Sequence, residues 1–327
     1  MRSVARSAAA VLLLLSAEIP AAQAAGKECI ADHYRLVPVP LRPARINDSG
    51  QVAGTTDTLR AAVWSEKGGL TPAPLPPGFD RSEGIGINAA GHLIGLASAA
   101  DSSKRRAFVF EGGKLTLLPG EPSKPNAINR SDEIAGEAAV AGKATTVPVV
   151  WKKGKVVELG VCCGGTAIAI NDHGQVVGQF YDAQAVYHAF VWDSAHGVQN
   201  IVPGDDYSSA VAINAAGHVL VEALPRRLLL YRDGTLAPLE LSPKFHGQAR
   251  DFNNCDVIVG SFGPHSDALR AFVWEKTSGL HDLNERVPPG SGWKLEAATG
   301  INDRGEIVGW GDYKGKEQAG FLLVPQP

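Results

Sequence analysis

The side chains best suited to chemistry lie where the sequence is least regular. They are charged or aromatic, and they are Arg81, Glu83, Asp205, Asp206, Tyr207, His246, Trp293, Lys294 and Glu296. Such groups around one cavity would form a ligand site, in which charges hold polar groups and rings pack against the body of the ligand. We therefore predict ligand binding at these positions and assign no catalytic residue.

Four of these positions are carboxylates, which raises the alternative of an enzyme. Two carboxylates drawn from Glu83, Asp205, Asp206 and Glu296, about 5 to 9.5 Å apart, would suit a hydrolase or lyase of polysaccharides. The sequence has no Gly-x-Ser-x-Gly, phosphate-loop or His-Glu-x-x-His motif. That absence favours binding without catalysis, and we predict no metal site and no cofactor.

A repeat runs through the chain and must position these residues. The stretch AINDHGQVVGQF at 169–180 returns in altered form six more times. Each copy carries an asparagine at the same place, namely Asn47, Asn88, Asn129, Asn171, Asn214, Asn253 and Asn302. Their separations of 41, 41, 42, 43, 39 and 49 residues are typical of a propeller, in which a blade of four strands takes about 40 to 45 residues.

The repeated Asn-x-x-Gly is typical of a tight hairpin turn. Glycine supplies the positive φ that closes a short loop, and the asparagine amide bonds the turn backbone. Asp132 and Asp256 replace the glycine in two copies, and aspartate tolerates this conformation better than most residues. We expect the second glycine of each copy, such as Gly178, to give room to a backbone or a ring.

Four strand signals fit in each repeat. In the fourth repeat they are TAIAIN, QVVGQFY, YHAFVWD and GVQNIV, separated by Gly, Asp, Asn or Ala. No segment of about a dozen residues keeps a 3.6-residue apolar period without Gly or Pro, which excludes a helical fold. The recurrent Trp64, Trp151, Trp192 and Trp274 are predicted to pack between blades.

The two ends of the chain complement each other. The seventh repeat lacks a fourth strand, whereas the extra strand YRLVPVPLR at 34–42 precedes the first repeat. Completing the last blade with this strand removes exposed sheet edges. We therefore predict an all-β, seven-bladed β-propeller with four strands per blade, as one domain over 25–327. Six blades plus a degenerate end unit is the alternative.

The four cysteines suggest two disulfides. The predicted topology places Cys255 and Cys29 on one face of the ring, and Cys162 and Cys163 in a loop on the other. A bond across the ring would exceed the reach of about 7 Å between Cα atoms. If all four are oxidised, we predict Cys29 with Cys255 and Cys162 with Cys163.

The repeats resemble the bacterial extracellular HAF-repeat family. The fourth repeat is most similar, with Ala169-Ile170-Asn171, Gly174 to Gly178 and His188-Ala189-Phe190-Val191-Trp192. The histidine position is instead occupied by arginine in several repeats, at Arg60, Arg106, Arg227 and Arg270. The resemblance implies secretion and a repeat β fold, and it implies no particular reaction.

The N-terminus reads as a secretory signal peptide over 1–24. Arg2 and Arg6 precede an apolar run at 8–15 that is too short to span a bilayer, and Ala22-Gln23-Ala24 is a small-x-small cleavage site. We predict cleavage after Ala24 and a periplasmic or extracellular protein. A net charge of -3 argues against nucleic-acid binding. We expect a monomer whose partner is a small molecule, a glycan or a protein.

Overall fold

The computed structural model describes residues 30–161, 163–204, 207–225, 227–239, 247–265 and 268–326. Within these ranges the chain consists of 28 β-strands and one short 3-10 helix at Leu283–Glu285. The predicted signal peptide lies outside the described residues.

Strand bounds follow the repeats closely. The strands of blade 1 are β2 (Arg42–Ile46), β3 (Val52–Thr55), β4 (Ala61–Ser65) and β5 (Gly69–Pro72). Those of blade 2 are β6 (Arg81–Ile87), β7 (Leu93–Ser98), β8 (Arg105–Glu111) and β9 (Lys114–Leu117). Those of blade 3 are β10 (Ser123–Ile128), β11 (Ile134–Ala138), β12 (Val147–Lys152) and β13 (Lys155–Glu158). Those of blade 4 are β14 (Gly165–Ile170), β15 (Val176–Tyr181), β16 (Tyr187–Asp193) and β17 (Gly197–Asn200).

The remaining blades keep the same plan. The strands of blade 5 are β18 (Ser208–Ile213), β19 (Val219–Ala223), β20 (Arg227–Arg232) and β21 (Thr235–Pro238). Those of blade 6 are β22 (Gly247–Phe252), β23 (Ile258–Phe262), β24 (Arg270–Glu275) and β25 (Gly279–Asp282). Those of blade 7 are β26 (Trp293–Ile301), β27 (Ile307–Tyr313) and β28 (Lys316–Pro325), joined by β1 (Tyr34–Val39).

Each blade is a four-stranded antiparallel sheet, and the seven sheets form a ring. The strands follow one another in sheet order, so that β14-β15-β16-β17 is blade 4 and the first strand of each repeat is innermost. The predicted seven-bladed propeller is confirmed, and the six-bladed alternative is wrong.

The ring closes with the N-terminal strand. β1 pairs antiparallel with β28 from Tyr34 opposite Pro325 to Val39 opposite Gly320. The ring of Tyr34 is buried, and its backbone amide donates to the carbonyl of Arg286 at 2.9 Å. The first described strand thus completes the last blade, as the missing fourth strand of the seventh repeat predicts.

The core lies between blades. Seven clusters of buried apolar side chains each join two neighbouring blades, one cluster for every interface of the ring. Trp151 in blade 3 is 2% exposed, and its indole nitrogen donates to the carbonyl of Pro119 at 2.9 Å. Trp192 is only half-buried. Each sheet therefore depends on both neighbours for burial of its two faces.

The repeated turn has the predicted geometry. In blade 4 the amide of Gly174 donates to the carbonyl of Asn171 at 3.0 Å, and Gly174 has φ +75°. Asp132 and Asp256 take φ values of 60° and 58° at the same position. The second glycine of the repeat gives room to a ring, as predicted. A Cβ on Gly95 would lie 2.4 Å from the ring of Phe108.

Candidate functional site

The ring has two unlike faces. We call the face that carries the seven Asn-x-x-Gly turns the turn face, and the opposite face, where each innermost strand begins, the mouth face. A channel runs between them along the seven innermost strands. The turn face holds a cavity of about 300 Å³, and the mouth face opens into one of about 1230 Å³.

On the turn face, a ring of hydrogen bonds joins each blade to the next. The side-chain nitrogen of each repeat asparagine donates to the backbone carbonyl of the asparagine in the next blade, at 2.8 to 3.5 Å. The same side chain accepts amides of its own turn, as in Asn171, which accepts from His173 and Gln175 at 3.1 Å. All seven asparagines are buried. This face therefore consists largely of groups that already have partners.

The carboxylates of the turn face also serve the fold. Asp172 accepts the amide of Arg130 at 2.8 Å, and Asp303 accepts the amide of Asn254 at 2.9 Å. The amide of Asp303 in turn donates to Asp48 at 2.9 Å. Across the ranges that the structure describes, no three His, Cys, Asp or Glu side chains are grouped to hold a metal ion.

The mouth is lined mainly by the innermost strands rather than by loops. A β-bulge interrupts each of these strands three positions before the asparagine, as between Ala167 and Ala169 in blade 4. The residue three positions before the asparagine lines the cavity in all seven blades, and the residue five positions before it does so in blades 1, 2, 3, 4 and 6. The long polar ones are Arg42, Glu83, Lys124, Asn126, Gln248 and Arg250.

Arg250 is the most constrained cation in the mouth. Burial, followed by the like charges of Arg45 and Arg42, holds its pKa below the ordinary value, and Glu222 opposes this effect. One Nη of Arg250 donates to the side chain of Gln248 at 3.3 Å, and its buried Nε has no partner among the described atoms. The guanidinium therefore has donors that the fold does not use.

The two neighbouring arginines differ in role. Arg42 is exposed, and its guanidinium lies 5.2 Å from the ring centre of Trp310. Arg45 crosses the channel wall, donating to the carbonyl of Thr299 at 2.8 Å and lying 3.9 Å from the carboxylate of Asp251. Burial raises the pKa of Asp251, and Arg45 opposes that effect. Arg45 thus holds blades together, whereas Arg42 faces the cavity.

A smaller pocket of about 270 Å³ adjoins the mouth between blades 4, 5 and 6. Tyr187 and Tyr207 line it, with their rings 5.0 Å apart and edge to face. Glu222 and Gln248 line both this pocket and the mouth, so the two cavities share a wall. Burial raises the pKa of Glu222, which accepts the amide of Ala249 at 3.3 Å.

Several predicted site residues occupy these cavities or lie close to the mouth face. Glu83 lines the mouth and Tyr207 lines the adjoining pocket. Arg81 donates to the hydroxyl of Ser102 at 3.1 Å instead of lining either cavity.

The blade 7 residues of the prediction lie elsewhere. Lys294 pairs with Glu296 at 3.0 Å, and Trp293 stacks on Tyr313 with ring centres 4.8 Å apart. None of these three predicted residues lines the mouth or the adjoining pocket. Asp205, Asp206 and His246 lie outside the described residues.

The cysteine pairing stays a prediction, because Cys29 and Cys162 lie outside the described residues. Cys255 is disulfide-bonded, and Cys163 is exposed. Ile30 packs against the same buried cluster as Val257, two residues beyond Cys255. This neighbourhood is compatible with a bond between Cys29 and Cys255.

Sequence reasoning overlooked several charged residues that line the mouth, among them Arg42, Arg45, Glu222 and Arg250. A signal for them exists. Alignment of the seven repeats on the asparagine places Arg42 in the same column as Glu83, Lys124 and Gln248, five positions earlier. Long polar side chains inside strands that otherwise pack a core indicate a second, accessible surface.

No helix within the described ranges has the length and apolarity needed to cross a membrane. No protein-family model matches the sequence, and no curated protein matches it. Solved propellers are similar in structure.

Three of these solved structures illustrate the likeness. Virginiamycin B lyase from Staphylococcus aureus has a TM-score of 0.58 at 12% identity, over 90% of this chain and 100% of its own. The β-propeller domain of the Trilobed protease from Pyrococcus furiosus has a TM-score of 0.56 at 13% identity, over 76% and 86%. YCF48 bound to D1 peptide has a TM-score of 0.55 at 8% identity, over 90% and 97%. At such identities the likeness shows the fold alone, and the chain is a β-propeller.

Proposed function

We propose that this protein is a secreted binding scaffold that takes its ligand at the mouth face of the channel and performs no reaction on it. The observation that carries the proposal is the contrast between the two faces. On the turn face the asparagines are bonded between blades around a cavity of about 300 Å³, whereas the mouth is a cavity of about 1230 Å³ with charged walls. A wide cavity with a few convergent polar groups is the usual form of a ligand site.

Only one of the described carboxylates predicted for catalysis lines the mouth. The enzyme alternative requires two acidic side chains facing one cleft. Of its described candidates, Glu83 lines the mouth, but Glu296 is paired with Lys294 outside it. Three other carboxylates line the mouth, those of Asp57, Glu222 and Glu317. Asp57 is paired with Lys316, and Glu222 accepts the amide of Ala249.

A thermal-shift screen of glycans and small metabolites tests the proposal. A ligand that raises the melting temperature of the wild type should lose its effect in Glu83→Ala or Lys124→Ala, which alter the mouth. His173→Ala, an exposed change on the turn face, is the matched control and should keep the effect. A ligand that still raises the melting temperature of both mouth variants, but no longer raises that of turn-face variants, would contradict the proposed site.

Two further measurements test the other parts of the proposal. Mass spectrometry of a bound ligand after prolonged incubation should recover it unchanged, and a new product would support the enzyme alternative. N-terminal sequencing of protein recovered from the periplasm or medium should begin at Ala25. Recovery of the protein from the cell interior with its first 24 residues still attached would contradict secretion.

A further inference from the structure

The mouth carries cationic donors that the fold leaves unused. Arg42 and Arg250 come from blades 1 and 6, on either side of blade 7, and neither forms an ion pair within the described ranges. Like charges near a partly buried guanidinium destabilise the unliganded protein. Such an arrangement is typical of a site whose counter-charge arrives with the ligand.

The geometry of these cations favours a carboxylate. Stacking of Arg42 on Trp310 covers one face of the guanidinium and leaves the N–H groups at its edge available. Two parallel N–H donors match the two oxygens of a carboxylate. Arg250 adds a second guanidinium to the wall of the mouth, and one of its Nη atoms donates to Gln248 at 3.3 Å.

Blade 7 leaves room between the two arginines. Its innermost strand lies between theirs and presents Thr299 to the cavity. The hydroxyl of Thr299 is turned to the carbonyl of Pro43 at 3.1 Å, and its side chain is short. Arg45 crosses this wall to the carbonyls of Thr299 and Arg250, at 2.8 and 3.5 Å. A small anionic group between Arg42 and Arg250 therefore also lies near a third guanidinium.

The adjoining pocket suits the rest of a sugar ring. Tyr187 and Tyr207 supply aromatic surface, and Gln179, Ser209 and Gln248 supply neutral hydrogen-bonding groups. Aromatic rings with amides and hydroxyls recognise the mixed apolar and hydroxyl surface of a saccharide. Gln248 is bonded to Arg250, so a ligand spanning the shared wall touches both sets of groups.

We propose that the mouth binds a short oligosaccharide that carries a carboxylate, held between Arg42 and Arg250, with a sugar ring against Tyr187 and Tyr207. This inference rests on the proposed function and adds the class of ligand. The carboxylate site depends on side chains of blades 1 and 6, which only the closed ring brings close, whereas Tyr187 and Tyr207 come from the adjacent blades 4 and 5.

Isothermal titration calorimetry with uronate oligosaccharides tests the proposal. The panel comprises trimers of galacturonate and mannuronate and a glucuronate-containing hyaluronan fragment, with galactotriose as the neutral control and citrate as a carboxylate without a sugar. At least one uronate oligosaccharide should bind, and galactotriose and citrate should bind at least tenfold more weakly. Loss of a hydrogen bond to a charged group lowers affinity by about tenfold to a hundredfold.

The variants assign that binding to the site. Arg42→Gln and Arg250→Gln should each weaken uronate binding by about tenfold or more, and Tyr207→Ala should weaken it as well. Arg250→Lys keeps the charge but loses the two parallel N–H donors of the guanidinium, so it should also bind uronate more weakly. Arg130→Gln, on the exposed turn face, is the matched control and should bind as the wild type does.

The outcomes separate this inference from the proposed function. Failure of every uronate to bind, or equal binding of galactotriose, overturns the ligand class. Unchanged affinity in both Arg42→Gln and Arg250→Gln overturns the assigned site, provided that circular dichroism shows folded variants. If a ligand of another class binds the wild type and does not bind Lys124→Ala, that result supports the proposed function and contradicts this inference.

Discussion

Removing one member of the asparagine ring should destabilise the whole propeller. The side chain of Asn171 makes four hydrogen bonds: it accepts from His173 and Gln175, and donates to Gln175 and to the carbonyl of Asn214, at 2.8 to 3.1 Å. It is buried, at 5% exposure. At about 1 kcal/mol for each bond, Asn171→Ala should lower the free energy of unfolding by about 4 kcal/mol.

Urea denaturation followed by circular dichroism measures this loss. With an m-value of about 3 kcal/mol/M, the midpoint should fall by about 1.3 M without a change in m. His173→Ala removes an exposed side chain from the same turn and should shift the midpoint by less than about 0.2 M. If Asn171→Ala lowers the urea midpoint no more than His173→Ala does, the result refutes stabilisation of the protein by the asparagine ring.

A second variant separates the turn from the contact between blades. Asn171→Asp keeps an oxygen that accepts from His173 and Gln175, but it loses the donor to Asn214 in the next blade. If the bond between blades matters, Asn171→Asp should also be destabilised. Stability equal to that of the wild type would mean that only the local turn counts.

Three further predictions concern burial, charge and oxidation. Trp151→Ala should lower the free energy of unfolding by about 3 to 5 kcal/mol, and by more than Trp192→Ala, because Trp151 is buried and Trp192 only half-buried; equal losses in urea denaturation would contradict this order. Burial raises the pKa of Glu222 in the folded protein, so its contribution to stability is present below the unfolded pKa of about 4.3 and is lost as the pH rises through the folded pKa. Glu222→Gln should therefore raise the melting temperature at about pH 7.5 and not at about pH 3.5, and an equal shift at both would be inconsistent with this titration. Peptide mapping without reductant should recover a fragment linking Cys29 to Cys255, and a fragment linking Cys29 to Cys162 or Cys163 would reject the predicted pairing.

The sequence by itself determined the architecture. Seven copies of one turn recur at a spacing that suits four strands per repeat. A single four-stranded sheet cannot bury both of its faces, so each sheet must pack between two others. The missing strand of the last repeat and the extra strand at 34–42 then indicate how the ring closes, as β1 on β28 shows. These features are local or repeated, so they can be read without three-dimensional information.

The turn asparagines show where local reasoning ends. Their bonds to their own turns follow from the Asn-x-x-Gly pattern, as in Asn171. Their bonds to the next blade do not, because the partner carbonyl is a whole repeat away in sequence. Only the angle between adjacent blades brings the two groups within reach.

Tertiary structure also decided which residues form the candidate site. Sequence reasoning favoured loop residues such as Lys294 and Glu296, which pair with each other outside the cavity. The mouth instead includes Arg42 and Arg250, from the first and sixth repeats, which sequence reasoning did not select. Their orientation depends on a β-bulge that turns strand residues towards the channel. Their proximity depends on ring closure, because only a closed ring leaves a single blade between blade 1 and blade 6.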